Sequence, residues 1–430
     1  MSAVVASRTL PPDVRRVVAG RFVSQLGGSA GFFVGLWGLA AYVLDATPGT
    51  LAVLMAGLSG AQLVGSALAG VAVDRFDPRR VLVAGEIAFV PAILVLTRVD
   101  SMVELTLLAP IAWFAHAFVM TAVASFPPYL VADPRSIERA NAMVEAAGTI
   151  AFIIGPVAGA LVSKAVNLQA VFVLDAVTSI LGLFVIWPVK VRDVAHAPHV
   201  RRGLGELVAG FRQAYRTPPV ALVMVLGTLT WMSFGTFSAI EPLFYRDVLG
   251  APPEVLGYVN AVFGAGMAVG AIVLDRSAGR LTSTRTVVIL TAAGGIGALI
   301  YVGTDALAVV VVGAVVWGVV LGLLLPLLRT LTHLHTPEGY LGRVTGVFNV
   351  HHSAGELLPL AIAPVLAGVI GVQGVLIGMG VVLLGLAPLA WAPARRIDAR
   401  YPVSPVPGRD LVDRLGDIDD LVIGGAPTTD

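Results

Sequence analysis

The chain has 430 residues, 57% of them apolar and only 13% charged. Roughly a quarter of an ordinary soluble domain is charged, and no soluble fold hides this much apolar surface. A water-soluble enzyme is therefore excluded, and a polytopic membrane protein is indicated. The absence of cysteine excludes disulfides and thiolate sites, and a net charge of +1 excludes a nucleic-acid binder.

A bilayer core about 30 Å thick needs about 20 apolar residues per helix. In chain order, such runs fall at 17–43, 49–73, 81–97, 102–126, 139–163 and 167–188, and then at 219–245, 253–274, 285–303, 306–328, 342–366 and 372–392. Residues 1–16 lack the apolar core of a signal peptide, so the first span is expected to be retained. The predicted fold is all-α, with twelve transmembrane helices in two pseudo-symmetric six-helix bundles. These occupy 1–188 and 219–393, with a cytoplasmic linker at 189–218 and an acidic tail at 394–430. In the linker, Leu204, Leu207, Val208, Phe211 and Tyr215 recur at helical spacing among arginines, which predicts an amphipathic helix on the inner leaflet. The tail carries Leu411, Leu415, Ile418 and Val422 on one helical stripe, and a docked helix and a disordered segment both fit it.

Basic residues in short loops set the orientation. With a cytoplasmic N-terminus, 25 of the 28 basic residues fall inside and only Arg98, Lys164 and Arg246 fall outside. Both termini are thus expected in the cytoplasm, and the membrane is expected to be a bacterial plasma (inner) membrane. Tyr42, Tyr245, Tyr258 and Tyr301 fall at outer ends, while Tyr129, Trp187, Tyr340 and Trp391 fall at inner ends, as an interfacial aromatic belt would place them.

The chain repeats itself. Gly70 precedes Asp74-Arg75 at the end of span two, and Gly270 precedes Asp275-Arg276 at the end of span eight, with the acid–base pairs 201 residues apart. Arg139 and Arg343, and likewise Trp113 and Trp317, are 204 apart. Parallel repeats of this kind place a substrate site between the halves near the midplane.

Twelve spans, this repeat and the loop Gly70-Val-Ala-Val-Asp74-Arg75-Phe76-Asp77-Pro78-Arg79-Arg80 resemble the major facilitator superfamily over residues 10–395. The wording of that loop is similar to the drug and siderophore exporter branch, which contains macrolide-efflux proteins and the enterobactin exporter. Asp77 stands where a second glycine is usual. The resemblance implies a conformational latch built on Gly70, Asp74, Arg75 and Arg79, echoed by Asp275 and Arg276. Gly155-Pro156-Val157-Ala158-Gly159-Ala160 in span five looks like the drug-antiporter signature, with Ala160 replacing its last glycine. Physically, that motif is a kinked helix with a small-residue packing face. The chain departs from the branch in span one, where Gly28 follows Gln25-Leu26-Gly27, and in span three, where Glu86 and Phe89 replace an Asp–Arg pair.

Carboxylates inside spans are costly and usually functional. Glu86 and Glu145 lie within two turns of the inner face, where pairing to Arg79, Arg80 or Arg139 accounts for them. Glu241 lies near Arg246 and suits an outer gate or simple solvation. Asp175 sits roughly 12 Å into span six, and Glu356 lies close to the midplane of span eleven. These two are the proton-coupling candidates, Glu356 first, with His352 one turn before it and His351 beside that as a relay; packing roles weigh equally for both carboxylates. The resemblance implies that spans one, four, seven and ten line the cavity, with six and eleven flanking it. Trp37, Trp113, Trp231 and Trp317 fall on those four helices, His116 shares a face with Trp113, and Gln25 adds a hydrogen-bonding group. An aromatic cavity suits an amphiphilic cation or neutral compound. A metal site adding His333 and His335 is the weaker reading, so neither metal nor cofactor is expected. Gly27-Gly28-Ser29-Ala30-Gly31 matches a hydrolase pattern, but that motif needs a strand–turn–helix setting.

The expectation is a monomeric secondary transporter, not an enzyme, surrounded by membrane lipid. It would couple proton movement to export of a drug-like or siderophore-like amphiphile by alternating access. The alternatives are a transporter of lysolipid or another lipid-like molecule, and a non-transporting membrane scaffold or sensor.

Overall fold

The computed structural model describes residues 11–192, 204–277 and 279–402. Arg8, the linker residues Arg201 and Arg202, and the predicted tail stripe from Leu411 to Val422 lie outside the described residues. Among the described residues the fold is entirely helical.

Among the described residues, eleven helices are long and apolar enough to cross a membrane: Pro12–Val43, Pro48–Arg75, Pro78–Arg98, Met102–Ser125, Pro134–Ala165, Gln169–Ile186, Pro218–Val248, Glu254–Arg276, Thr284–Val302, Leu307–Leu334 and Glu338–Arg400. The last has 63 residues, which at helical rise would run ~95 Å, about three bilayer cores. It instead reverses at Gly371, whose φ of 76° and ψ of 163° belong to glycine. Gln373 donates to the Val302 carbonyl at one end of span nine, and Asp398 accepts from the Thr284 backbone at the other. The segment after Gly371 therefore runs antiparallel to span nine, and the two limbs are spans eleven and twelve.

Local sequence explains where the spans begin. Thr47, Asp77, Asp133 and Thr217 each precede a proline at the first helical turn. Proline is pre-organised there and forfeits no helical hydrogen bond. Asp77 accepts from the Arg80 backbone N–H at 2.9 Å, so the residue replacing a loop glycine is the cap of span three. Spans one and five begin several residues before their apolar runs, at Pro12 and Pro134.

The same pairings recur in the first six and the last six spans. Span one packs on five as seven packs on eleven, span two on four as eight on ten, and span three on six as nine on twelve. Close approach is made by glycine. Gly266 and Gly270 of span eight interlock with Gly318 and Gly322 of span ten, and Gly65 of span two meets span four at the equivalent place. Gly70 has open space around it, unlike its counterpart Gly270.

The described termini and the linker helix Leu204–Arg216 share one face, here the terminal face; the other is the loop face. The linker helix does not simply lie against lipid. Glu206 and Arg343 form an ion pair, Phe211 packs on the ring of His351, and the Tyr215 hydroxyl meets His351 Nε2 at 2.8 Å. The helix is thereby moored to the start of span eleven. Its Val208 remains exposed.

Between the halves, span five meets eight, and span two meets seven and eleven. At the loop face the Tyr42 hydroxyl donates to the Ala251 carbonyl at 2.8 Å, and Arg246 donates to the Ala41 carbonyl at 2.6 Å. The loop face is closed by these contacts.

Candidate functional site

A cavity lies between the halves in three connected compartments. The compartment nearest the loop face holds about 220 Å³ and is walled by Phe32, Phe33, Trp37, Phe152, Phe234, Phe263 and Trp317, with Glu241, Asn260, Tyr301 and Glu356 as its polar groups. A second, of about 290 Å³, reaches into the first half between Gln25, Gly28, Trp113, His116 and Asp175. A third, of about 370 Å³, extends toward the terminal face past Ser59, Gln62, Ser66, His352 and Glu356. Among the described residues no lysine or arginine lines any of the three.

The aromatic wall depends on a local change of helix type. Span one widens to a π-helix over Gly31–Leu36 and again over Leu39–Val43. Such turns often mark functional sites. Here the wider turn lets two consecutive residues, Phe32 and Phe33, both meet Trp37, with ring centroids 5.4 and 5.2 Å away. Phe33 continues to Phe152 of span five, and Phe32 to Trp113 of span four. In the second half Trp317 stacks among Phe237, Phe263 and Tyr301.

Three of the four candidate tryptophans, Trp37, Trp113 and Trp317, line this cavity, as do His116 and Gln25. Trp231 does not. It packs edge-on against Phe348 and His352 and borders a separate cleft near the terminal face with Arg329, His333 and Asn349. Sequence alone does not single out these phenylalanines, because phenylalanine on a cavity wall and phenylalanine against lipid have the same hydropathy.

Glu356 stands in the cavity wall rather than beside it. One of its carboxylate oxygens lies 3.3 Å from His352 Nε2, one helical turn earlier, and both side chains are more than a third exposed. Its backbone packs directly on Gly235 of span seven. His351 points away, to Tyr215 and to the Val347 carbonyl, so neighbours in sequence serve opposite faces of span eleven.

Glu241 is buried in the roof of the cavity and accepts a hydrogen bond from the Tyr301 hydroxyl, which is in turn bonded to Tyr245. Glu241 is thus engaged by a protein donor while bordering the cavity compartment. Its expected neighbour Arg246 is instead held by Asp247, the Ala41 carbonyl and Asp45. Tyr245 and Tyr301 are fully buried, not belt residues at a lipid interface. A buried carboxylate needs hydrogen-bond donors, and the Tyr301 phenol supplies one.

Asp175 is buried between spans six and one, where Gly27 and Gly31 leave room for it. Glu86 is also buried, beside Ser179 and within electrostatic range of Asp175. The arginines expected to pair with it are engaged elsewhere: Arg80 bonds Asp77, and Arg79 lies over the Trp187 ring. Glu145 is exposed and lies opposite Arg21.

In the loop after span two, Asp74 and Arg75 are exposed, as are Asp275 and Arg276 after span eight. The Tyr129 phenol, in the connection between spans four and five, is pushed up by burial and by the nearby Asp74 and Asp77. The span-two loop therefore lies against the start of span five. Gly155 and Gly159 meet span one at the Leu26 carbonyl and Ala30, while Pro156 and Ala160 meet Gly257 of span eight. The antiporter-like motif thus joins three spans and both halves. His333 borders the separate cleft, and among the described residues no three His, Asp or Glu side chains converge as a metal site requires.

A profile of the Major Facilitator Superfamily matches residues 17–359. The MFS-type transporter YfiS of Bacillus subtilis is 25% identical over 82% of this chain and 86% of its own length. The multidrug efflux pump Tap of Mycobacterium tuberculosis is 26% identical over 78% and 83%. Macrolide efflux protein A of Streptococcus pyogenes is 23% identical over 54% and 60%. Among solved structures, a POT family transporter in complex with 5-aminolevulinic acid superimposes with a TM-score of 0.72 at 11% identity, covering 90% of this chain and 97% of that one. A bacterial homologue of the lysosomal transporter Spinster, inward-facing, gives 0.66 at 13% identity over 92% and 98%. With the family profile spanning most of a twelve-helix fold that encloses a central cavity, the chain belongs to the Major Facilitator Superfamily and is a membrane transporter, not an enzyme.

Proposed function

We propose that the chain is a proton-coupled exporter of amphiphilic compounds, cationic or neutral, working as a monomer by alternating access in a bacterial plasma membrane. The carrying observation is the lining of the cavity. Aromatic rings form its walls, Glu241, Glu356 and Asp175 supply its carboxylates, and among the described residues no lysine or arginine lines it. Such a cavity favours a positively charged or polarisable aromatic solute through ring quadrupoles and carboxylates together. The efflux activity of the relatives supports the direction. With the terminal face cytoplasmic, the closed loop face makes this a conformer that loads from inside the cell.

Glu356 is the first coupling residue in this reading. A carboxylate that touches both substrate space and His352 has the geometry to exchange a proton for a substrate cation. The test is flux in everted membrane vesicles energised by a proton gradient, across a panel of amphiphilic dyes and macrolides. Native protein should accumulate at least one class of compound, and Glu356→Gln should lose gradient-driven accumulation while retaining passive exchange. Accumulation by Glu356→Gln with native pH dependence would remove the coupling assignment.

A further inference from the structure

Among the described residues, seven buried polar atoms of the first six spans lack a hydrogen-bonding partner: Arg21 Nε, Ser24 Oγ, Trp37 Nε1, Glu86 Oε2, His116 Nδ1, Asp175 Oδ1 and Ser179 Oγ. Native interiors rarely leave such atoms unpaired. Four of the seven are oxygens, and they come from three helices packed together.

The assembly is built by sequence spacing. Asp175, Ser179 and Gly182 recur one turn apart along the face of span six that meets span one. A methyl group at Gly27 would stand 1.8 Å from the Thr178 hydroxyl, and one at Gly31 would stand 2.5 Å from Asp175 Oδ2, so both glycines exist to admit span six. Gly182 in turn admits Ser24, whose Cβ lies 3.1 Å from where its own Cβ would be. Glu86 arrives from span three and faces Ser179 without closing a well-formed hydrogen bond. Glu86 and Asp175 are each 2% exposed, Ser24 4% and Ser179 0%.

The charged and titratable neighbours are few. His116 of span four stacks near Phe89 and touches Gly28. Arg21 of span one is the nearby cation; it packs on Gly148, and Glu145 of span five faces it. No salt bridge reaches Glu86 or Asp175 among the described residues. Two buried carboxylates thus lie within electrostatic range of each other, with the Ser179 hydroxyl beside Glu86. Asp175 borders the cavity compartment that also holds Gln25 and His116, which provides a path to solvent.

We propose that Glu86, Asp175, Ser179 and Ser24 form a binding site for one small hard cation, a proton or Na⁺, inside the first six spans and separate from Glu356. Carboxylate and hydroxyl oxygens are the donors such a cation takes, and its charge offsets part of the buried acid pair. A d-block metal is disfavoured by this all-oxygen set. Of the four residues Asp175 borders the cavity, and through it an occupant would exchange with the water that reaches substrate. Its role in coupling rests on the transport reading, whereas its existence does not.

The experiment uses purified full-length protein in detergent without substrate. Thermal unfolding is followed against NaCl, with KCl and choline chloride at matched ionic strength, at acidic and alkaline pH. In parallel, proton uptake is titrated in weakly buffered solution. A sodium site shows a saturable rise in Tm for Na⁺ alone, stronger at alkaline pH where protons compete less. Glu86→Gln and Asp175→Asn should shift half-saturation at least about tenfold, Ser179→Ala should shift it less, and Glu356→Gln should leave it in place. A proton site shows no Na⁺ preference but a proton uptake that Glu86→Gln and Asp175→Asn abolish and Glu356→Gln leaves partly intact. If the two carboxamide variants, monodisperse and folded, respond like the native protein in both titrations, the pair is packing and the proposal is overturned. Intact cation binding with no vesicle flux for any compound would instead overturn the exporter reading alone.

Discussion

Gly257, near the loop-face end of span eight, is where the closed contact between the halves should be easiest to break selectively. A methyl group there would stand 2.3 Å from the Pro156 carbonyl oxygen, 2.9 Å from Ala160 Cβ and 2.9 Å from Val34 Cγ2. The nearest obstacles are a backbone oxygen and a β-carbon, so no flexible side chain can swing aside. Overpacking of this kind costs roughly 1–3 kcal/mol. Because the clash lies between halves, rocking them apart relieves it without unfolding either one. The penalty therefore falls on the closed conformer, and Gly257→Ala should raise the ratio of loop-face-open to closed protein about 5- to 150-fold. The cysteine-free chain makes the measurement clean. Asp100→Cys and Asp305→Cys are exposed at the loop face in different halves and would carry two spin labels with no background. The distance distribution should move to longer separations in Gly257→Ala, and Gly70→Ala, with open space around it, should leave it unchanged. A Gly257→Ala protein with the native distribution would refute the reasoning.

Gly270→Ala should behave oppositely, because its methyl would stand 2.1 Å from the Val319 carbonyl within one half. It should lower Tm and folded yield without moving the inter-label distance, and an altered distance at native Tm would count against that distinction. Tyr301→Phe removes the hydroxyl that Glu241 accepts from. Leaving that buried carboxylate short of a donor costs about 1–3 kcal/mol, so Tm should fall, and a native Tm would mean that Glu241 has another partner. Asp398 caps the start of span nine, accepting from the Thr284 backbone at 2.8 Å and from Arg285 Nε at 2.8 Å. Asp398→Ala should cost about 1 kcal/mol and speed amide exchange in the first turn of span nine; unchanged exchange there would place the cap elsewhere.

What was legible in the sequence follows from what lipid demands of a backbone. Each crossing must be a helix of about bilayer length, so the twelve apolar runs and their order could be read directly. That includes the pair that the chain joins through a single reversal at Gly371. The residue types at capped and glycine positions were visible too, although only the structure distinguishes Gly270, which admits a neighbouring helix, from Gly70, which does not. Inside the bundle the hydropathy signal fails, because lipid and protein interior are equally apolar. Phe32 lines the cavity while Phe184 is exposed on the outside of the bundle, and no local pattern separates them. Buried charge fails for a related reason. Proximity along the chain points Glu86 to nearby arginines, yet its surroundings are Ser179 and Asp175, some ninety residues away on span six. Glu241 was likewise read with Arg246, five residues on, whereas its donor is Tyr301, 60 residues distant. Residues five apart on a helix point about 140° away from each other, as His351 and Glu356 do. A polar residue's partner is therefore set by helix packing, and for intramembrane acids the nearest arginine in the chain is a poor guide to what neutralises them.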